Sequence, residues 1–224
     1  SSSDLSSLAA TERGDAPHII LFPEIAFDQA AFLSRVSDCV KRFGYCVVVA
    51  SEGTSTADGK LLADQGETDA FGHAQLGGLA PLLAGMVKTH LGYKYHWAVA
   101  DYLQRAARHI ASQTDVDQAI ALGRAAVELA LDGANAIMPT IERKTGKQYR
   151  WCIGTAPLHR VANREKKMPR RFISKDGFAV TAAGKAYFEP LIAGEAYPDY
   201  HRGMPRYTRL KKVLVRKRCT PWHA

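Results

Sequence analysis

Two short apolar runs joined by one amphipathic helix constrain the fold of this chain more than any other feature. Residues 18–22 and 45–50 are apolar stretches beside polar or turn residues, and the second is β-branched at its centre, which is typical of buried strands. Asp28 is placed to cap a helix start and Gly44 a helix end. Apolar residues at three- and four-residue spacing form the helix face: Phe32, Leu33, Val36, Val40 and Phe43. Strand, helix and strand within 33 residues predict a parallel βαβ unit with a right-handed crossover, and therefore an α/β fold.

The rest of the chain divides into segments with simpler patterns. A polar loop or small hairpin is expected at 51–68, a helix at 78–90 with Pro81 in its first turn, and a strand at 94–100. The clearest helix begins at Thr114 and ends at Gly133. The stripe expected to face the core consists of Val116, Ile120, Val127 and Leu131. Strands are expected at 135–142 and 148–153, a last helix at 179–193, and an irregular segment or packed arm from 198 onward.

Charge is unevenly distributed along the chain. The net charge is +8, yet residues 163–218 carry 15 Lys and Arg against 5 Asp and Glu, so the remainder is slightly acidic. This predicts an anionic partner or a solvated basic surface in the last third. The apolar runs are too short to span a membrane. The four cysteines lack CxxC spacing and the eight histidines form no HExxH or HxxxH pair, which favours free thiols in a reducing cytosol and argues against a metal cluster.

Polar residues follow the predicted strands, where ligands bind in open α/β sheets. Glu24 comes after the first strand, Glu52 after the second, and the segment Tyr102-Leu103-Gln104-Arg105 after the third. A carboxylate accepts hydrogen bonds from sugar hydroxyls, and an arginine binds phosphate through two donors. Together they suit an anionic ligand rich in hydroxyls, such as a sugar phosphate. A surface or capping role for each glutamate remains the alternative.

Five motifs carry a resemblance to a known family. In chain order they are Phe22-Pro-Glu-Ile25, Val49-Ala-Ser-Glu-Gly53, Gly72-His-Ala-Gln-Leu-Gly-Gly78, Ala100-Asp-Tyr-Leu-Gln-Arg105 and Lys167-Met-Pro169. From about Pro17 onward the chain resembles the carboxyl-terminal half of 6-phosphofructokinases, most of all the pyrophosphate-dependent group. The resemblance implies an α/β, Rossmann-like three-layer sandwich with parallel βαβ units. It also implies a cytoplasmic, Mg²⁺-dependent glycolytic enzyme of an allosteric family, a homodimer or homotetramer, that phosphorylates the 1-hydroxyl of fructose 6-phosphate.

The resemblance also implies roles for individual residues. Glu24 matches the glutamate that hydrogen-bonds the sugar, and the segment from Tyr102 through Leu103 and Gln104 to Arg105 matches the segment that lies along fructose 6-phosphate. Arg105 is expected to contact the phosphate, and the tyrosine favours the pyrophosphate-dependent group over the ATP-dependent one. Where relatives often carry another phosphate-binding arginine, this chain has His96, with Lys94 nearby.

Several family motifs are missing from these residues. The Gly-rich donor loop, the Mg²⁺ aspartate and the motif with the aspartate base precede the Pro-Glu motif in the family. We therefore expect no catalytic residue and no Mg²⁺ ligand in this chain, which should be inactive alone. The expected domains are a Ser-rich linker or truncated start at 1–16, a fructose-6-phosphate-binding α/β region at 17–197 and a basic arm at 198–224.

Other interpretations remain open at this point. The donor is pyrophosphate or ATP, since the residues that choose between them lie elsewhere. The chain is alternatively a non-catalytic, effector-binding module, or a nucleic-acid binder that uses the basic last third, although that region lacks a recognisable nucleic-acid module. A structural role is expected for His73. Four basic residues are expected on a solvated face, at the substrate mouth or at a subunit interface: Lys166, Lys167, Arg170 and Arg171.

Overall fold

The βαβ unit is present in the computed structural model, which describes residues 5–65, 78–100, 102–214 and 216. Strand β1 (Ile19–Leu21) pairs in parallel with β2 (Val48–Ala50), and Ile20 lies opposite Val49. Helix α1 (Gln29–Phe43) connects them. The prediction of a parallel pair is confirmed, although β2 begins three residues later than the sequence pattern indicated.

Helix α1 begins and ends where its sequence predicts. The Ala31 amide donates to Asp28 Oδ1 at 3.0 Å, which satisfies one free donor at the helix start. Gly44 ends the helix with a φ of 81°, a left-handed conformation that glycine adopts without a side-chain clash. The buried side of the helix contains Phe32, Val36 and Cys39. The amphipathic pattern thus sets which face packs on the sheet.

Both faces of β1 are covered. Ile19 and Leu21 pack against α1 and helix α2 (Leu79–Leu91) in one buried cluster. Ile20 and Phe22 point the other way, into a second cluster that contains Ile173 and Val180. The Ile20 amide also donates to the Phe178 carbonyl at 2.8 Å. A strand buried on both faces explains why residues 18–22 form a continuous apolar run rather than an alternating one.

A second unit consists of one helix and one hairpin. Helix α4 (Gln113–Leu131) packs against the antiparallel strands β3 (Ile137–Arg143) and β4 (Trp151–Pro157), where Thr140 lies opposite Gly154. The Ser112 hydroxyl accepts from the Asp115 amide at 3.1 Å and so caps the helix start. The predicted helix and strand pair are confirmed, with shifted strand bounds.

The predicted orientation of α4 is wrong. Three of the four residues assigned to its core stripe are exposed, with Ile120 at 58%, Val127 at 60% and Leu131 at 82%. The helix instead packs on β3 and β4 through the opposite side, where Leu122 and Leu129 are partly buried. The helix has apolar residues on both sides, so periodicity alone could not select the packed one.

The strand predicted at 94–100 is also wrong. Residues 92–100 have no regular secondary structure, and all of residues 94–100 are exposed. A strand requires a neighbouring strand for its backbone hydrogen bonds, and the described part of the chain offers none here. The segment leads to the one-turn helix α3 (Leu103–Ala106).

The last predicted helix is shorter than expected, and the arm after it is mostly irregular. Helix α5 (Ala182–Phe188) is capped by Thr181 and gives way to a 3-10 turn at Glu189–Ile192, because Pro190 cannot donate to the α-helical ladder. Strands β5 (Tyr200–His201) and β6 (Met204–Pro205) form a short hairpin before an exposed basic arm. Among the described helices, none has the length and apolarity needed to cross a bilayer.

Candidate functional site

Glu24 is positioned by the turn that ends β1. The Ile25 amide donates to the Phe22 carbonyl at 3.2 Å, which closes the turn around Pro23 and Glu24. The Met168 amide donates to Glu24 Oε1 at 2.8 Å. The other carboxylate oxygen, Oε2, is buried and has no hydrogen-bond donor among the described residues. A buried carboxylate oxygen without a donor is costly, so such an atom commonly marks a functional position.

The bond from Met168 brings together two motifs that lie 144 residues apart. Met168 packs against the cluster that contains Ile20 and Phe22, so its backbone is held at the end of β1. Lys166 and Lys167, immediately before it, are exposed. Two cations therefore lie in sequence directly before the amide that holds the Glu24 carboxylate.

The two arginines after this segment have structural contacts. Arg170 Nη1 donates to the carbonyls of Ile173 at 2.7 Å and Ser174 at 2.8 Å, which closes the turn beneath the second core cluster. The guanidinium carbon of Arg171 lies 5.0 Å from the centre of the Phe172 ring. These two arginines therefore do more than cover a solvated face, whereas Lys166 and Lys167 are exposed.

Glu52 caps a helix. The Leu79 amide, at the start of α2, donates to Glu52 Oε2 at 3.3 Å. The residue at the cap position itself is Gly78, which has no side chain to accept that bond. This contact supports the capping alternative that the sequence left open for Glu52.

The segment 102–105 begins helix α3. The Ala106 amide donates to the Tyr102 carbonyl at 2.9 Å. The side chains of Tyr102 and Leu103 are 69% and 73% exposed, and those of Gln104 and Arg105 lie outside the described part of the structure. The Glu24 carboxylate is held by the Met168 amide, and no contact between Glu24 and this segment is established among the described side chains.

Of three further residues that the sequence suggested, the structure describes two. His96 and Lys94 are exposed in the irregular segment. In the motif 72–78, only Gly78 is among the described residues, so His73 lies outside them. In the described part of the chain, no group of three His, Cys, Asp or Glu side chains is arranged to hold a metal ion.

A small cavity beside the Pro-Glu turn was not anticipated from the sequence. It has a volume of about 230 Å³, and Phe22 and Ile25 contribute to its wall together with the carboxylates Asp28 and Asp176. Burial raises the pKa of Asp176, but donation from Ser174 and Phe178 and the charge of Arg35 outweigh it and lower that pKa overall. Two carboxylates repel a phosphate, so this cavity does not suit an anionic sugar.

Comparisons with known proteins give a consistent result. No protein-family model matches the chain. It is 58% identical to a pyrophosphate--fructose 6-phosphate 1-phosphotransferase of Halomonas elongata over 95% of this chain and 51% of the relative. A relative of the same name from Xanthomonas campestris is also 58% identical, over 96% of this chain.

Solved structures agree with the sequence relatives. A pyrophosphate-dependent phosphofructokinase from Marinobacter aquaeolei matches 97% of this chain and 51% of its own, with a TM-score of 0.79 and 51% identity. One from Nitrosospira multiformis matches with a TM-score of 0.77 and 54% identity. The chain spans about half the length of the curated relatives it matches.

Proposed function

Since this chain belongs to the phosphofructokinase family, we propose that it supplies the fructose-6-phosphate-binding half of a pyrophosphate-dependent phosphofructokinase. The observation that carries the proposal is the high identity to relatives named for this reaction, over nearly the whole chain. The complete enzyme moves a phosphoryl group from pyrophosphate to the 1-hydroxyl of the sugar. It works in the cytoplasm, in glycolysis, as a homodimer or homotetramer.

Glu24 is the residue of this half that recognises the sugar. Its Oε1 is engaged by the Met168 amide, while its Oε2 is buried without a donor. A sugar hydroxyl that donates to Oε2 would remove the cost of leaving that oxygen unpaired. The carboxylate is already oriented by Met168, so little conformational entropy is lost when the sugar binds.

Arg105 is the phosphate-binding residue, with Tyr102, Leu103 and Gln104 lying along the same substrate. The family resemblance supports these roles. Tyr102 and Leu103 are exposed at the start of α3 and so accessible to a ligand. Lys166 and Lys167, next to the Met168 amide, add positive charge near the Glu24 carboxylate and favour an anionic substrate.

The residues that bind the phosphoryl donor and Mg²⁺, and the residue that acts as the base, belong to the other half of the enzyme. The described residues show no cluster suited to a metal ion. Phosphoryl transfer depends on positioning and on neutralising charge around the moving group. The residues of this chain contribute by holding the acceptor sugar in place, and the 224-residue polypeptide alone should show no turnover with either donor.

The proposal is tested by kinetics in a polypeptide of the relatives' length that contains these 224 residues. Glu24→Gln retains an oxygen that accepts from Met168 but replaces the unpaired Oε2 with an NH₂ group, which cannot accept from a hydroxyl. We expect kcat/KM for fructose 6-phosphate to fall at least about 10-fold, because hydrogen bonds to charged groups contribute about 1.5–3 kcal/mol. Arg105→Ala should cost at least as much, and Arg105→Lys should restore only part, because lysine lacks the two-pronged geometry.

The matched control neutralises three cations of the carboxyl-terminal arm, Lys211, Lys212 and Arg216, and should leave kcat/KM within about twofold. Unchanged kinetics in both Glu24→Gln and Arg105→Ala would refute the assignment of these residues. Binding of fructose 6-phosphate without turnover in the longer polypeptide would favour an effector-binding module instead.

A further inference from the structure

The turn between β3 and β4 begins a stretch of the chain whose charged residues are all basic. Residues 143–164 contain six Lys and Arg and no Asp or Glu. Three of these cations lie at the turn, and together we call them the basic tip: Lys144, Lys147 and Arg150. All three are exposed. Charge alone is consistent with a solvated surface, so a binding site requires a specific arrangement of these residues.

Lys144 and Arg150 lie opposite each other at the end of the hairpin. The strand ladder ends where Arg143 pairs with Trp151. One residue further, the Lys144 amide donates to the Arg150 carbonyl at 2.8 Å. Residues opposite each other in an antiparallel pair point to the same face, and like charges in that position repel. An anion bound between the two side chains would remove this repulsion.

The carboxylate nearest in sequence does not neutralise the pair. Glu142 precedes Lys144 by two residues and so lies on the same face of the hairpin. A Cβ atom added at Gly154 would clash with the Glu142 side chain, so the carboxylate lies over that glycine. Gly154 is opposite Thr140, which places it farther from the turn than Glu142. Among the residues that the structure describes, the ion pairs involve no cation of the basic tip.

The other face of the hairpin anchors the turn. The guanidinium carbon of Arg143 lies 4.8 Å from the centre of the Tyr149 ring and 4.7 Å from that of Tyr187 on α5. Arg143 Nη1 also donates to the Tyr187 carbonyl at 2.9 Å. Gln118 Nε2, on α4, donates to the Tyr149 hydroxyl at 2.6 Å. The basic tip is therefore held at its base by two helices, which reduces the conformational entropy lost when a ligand binds.

The basic tip suits a small anion better than a macromolecule. Arg150 Nη2 lies 3.6 Å from the position of a Cβ atom added at Gly146, so its guanidinium lies over the turn. Residues 144–148 have no apolar side chain to enter a membrane or anchor a protein partner. Base stacking requires an accessible aromatic face. The one aromatic residue of 144–150, Tyr149, is partly buried and in contact with Arg143.

We propose that the basic tip binds a linear di- or oligophosphate. Arg150 offers phosphate oxygens two donors in a fixed fork, and Lys144 and Lys147 supply compact positive charges. Three cations within seven residues match the several negative charges of one such ligand. The same chemistry occurs in inorganic oligophosphates and in the phosphate groups of a nucleotide. The proposal does not depend on the roles of Glu24 and Arg105.

Calorimetric titration of the 224-residue polypeptide with inorganic tripolyphosphate tests the proposal. Divalent cations are left out, and about 150 mM KCl screens weak surface attraction. Changing the basic tip to Lys144→Gln, Lys147→Gln and Arg150→Gln together should weaken binding at least about 10-fold, because charge-assisted hydrogen bonds are lost. The matched control changes three cations of the carboxyl-terminal arm to glutamine and should leave the Kd within about twofold. Those three are Lys211, Lys212 and Arg216.

Thermal unfolding gives a second readout and checks that the variants fold. Without ligand, the Tm of the basic-tip variant should not fall by more than about 2 °C, because the changed side chains are exposed and a like-charge pair is removed. Tripolyphosphate should raise the Tm of the unchanged polypeptide and of the arm variant but not that of the basic-tip variant.

The ligands compared distinguish the possible sources of the phosphate groups. Tighter binding of tripolyphosphate than of ATP would identify an inorganic oligophosphate as the ligand, and the reverse order would identify a nucleotide. Absence of tripolyphosphate binding, or equal weakening in the two triple variants, would overturn the proposal. An oligonucleotide that binds through the basic tip more tightly than tripolyphosphate would also overturn it, because the partner would then be a nucleic acid.

Discussion

The βαβ unit and the α4–hairpin unit contain similar amounts of apolar sequence but differ in how they bury it. In the βαβ unit, Ile19 and Phe32 are fully buried, and Leu79 of helix α2, which packs on that unit, is 1% exposed. Helix α4 has no buried residue, although it is four residues longer than α1. The difference shows that an apolar face is buried only where another helix or strand of the chain packs over it.

The two helices show this directly. Helix α1 has a single buried stripe, and its cover comes from β1, β2 and α2 within the same 73 residues, 19–91. Helix α4 has two apolar sides, and the hairpin covers one of them. Helix α1 is therefore covered by elements close to it in sequence, whereas one apolar side of α4 is left exposed.

The largest expected difference between the two units is in the stability lost when a buried or an exposed side chain is truncated. Phe32→Ala leaves a cavity in the βαβ core and should lower the free energy of unfolding by about 3–5 kcal/mol. Ile120→Ala in the same 224-residue chain should change it by less than about 0.5 kcal/mol, because the side chain is mostly in water. Urea denaturation followed by circular dichroism measures both. Similar losses for the two variants would show that α4 is covered within this chain.

Two helical glycines should give smaller effects on stability, with opposite signs in the two helices. A Cβ at Gly184 in α5 would lie 2.5 Å from Val180 Cγ1 and 3.2 Å from the Phe172 carbonyl, whereas at Gly123 in α4 it would meet nothing. Gly184→Ala should therefore destabilise by about 1–3 kcal/mol through overpacking. Gly123→Ala should stabilise the 224-residue chain by about 0.5–1 kcal/mol, the usual gain in a helix. Thermal unfolding of the two variants checks the signs, and stabilisation by Gly184→Ala would contradict the packing around α5.

The smallest expected effect is a pH dependence of stability that comes from Asp176, a carboxylate in the loop that packs beside the βαβ unit. The pKa of Asp176 is lowered from its ordinary value of 3.8 despite burial, by hydrogen bonds from Ser174 and Phe178 and by Arg35 on α1. A lowered folded pKa gives stability that is fully present above 3.8 and is lost as the pH falls through the folded value. Asp176→Asn should remove this part of the fall in the free energy of unfolding at acid pH. Urea denaturation near pH 7 should remain cooperative, with a slope close to that of the unchanged chain. An identical acid profile in both proteins would show that the carboxylate is not coupled to folding.

Local patterns predicted the elements whose partners lie nearby in the sequence. The strand at β1, the cap at Asp28 and the end at Gly44 follow from residues within or beside the βαβ unit. The absence of a strand at 94–100 and the packed side of α4 could not be predicted from local pattern, because a strand needs a partner strand and α4 has apolar residues on both of its sides. Pro190, which shortens the last helix, is a helix-ending signal that the sequence itself contains.

The candidate site shows the same division. Its place after a strand and its motif predict a functional role for Glu24. The motif that contains Met168 is also visible in the sequence, but nothing there links it to Glu24. Their hydrogen bond depends on the turn held by Arg170 and on the packing of Met168 over β1. No local pattern encodes a contact between residues 144 positions apart.

That contact also determines which changes the site tolerates over evolutionary time. The donor to Glu24 is a backbone amide, so the identity of the side chain at 168 is irrelevant to the bond itself. The spacing of the segment is not, because the next residue is Pro169, which has no amide hydrogen. Inserting a single residue just after Pro169, so that the segment slips by one position relative to the turn held by Arg170, would set Pro169 against the carboxylate and abolish the bond. Point substitutions at 168 that still pack over β1 should therefore persist among descendants of this sequence, while insertions and deletions nearby are removed by selection.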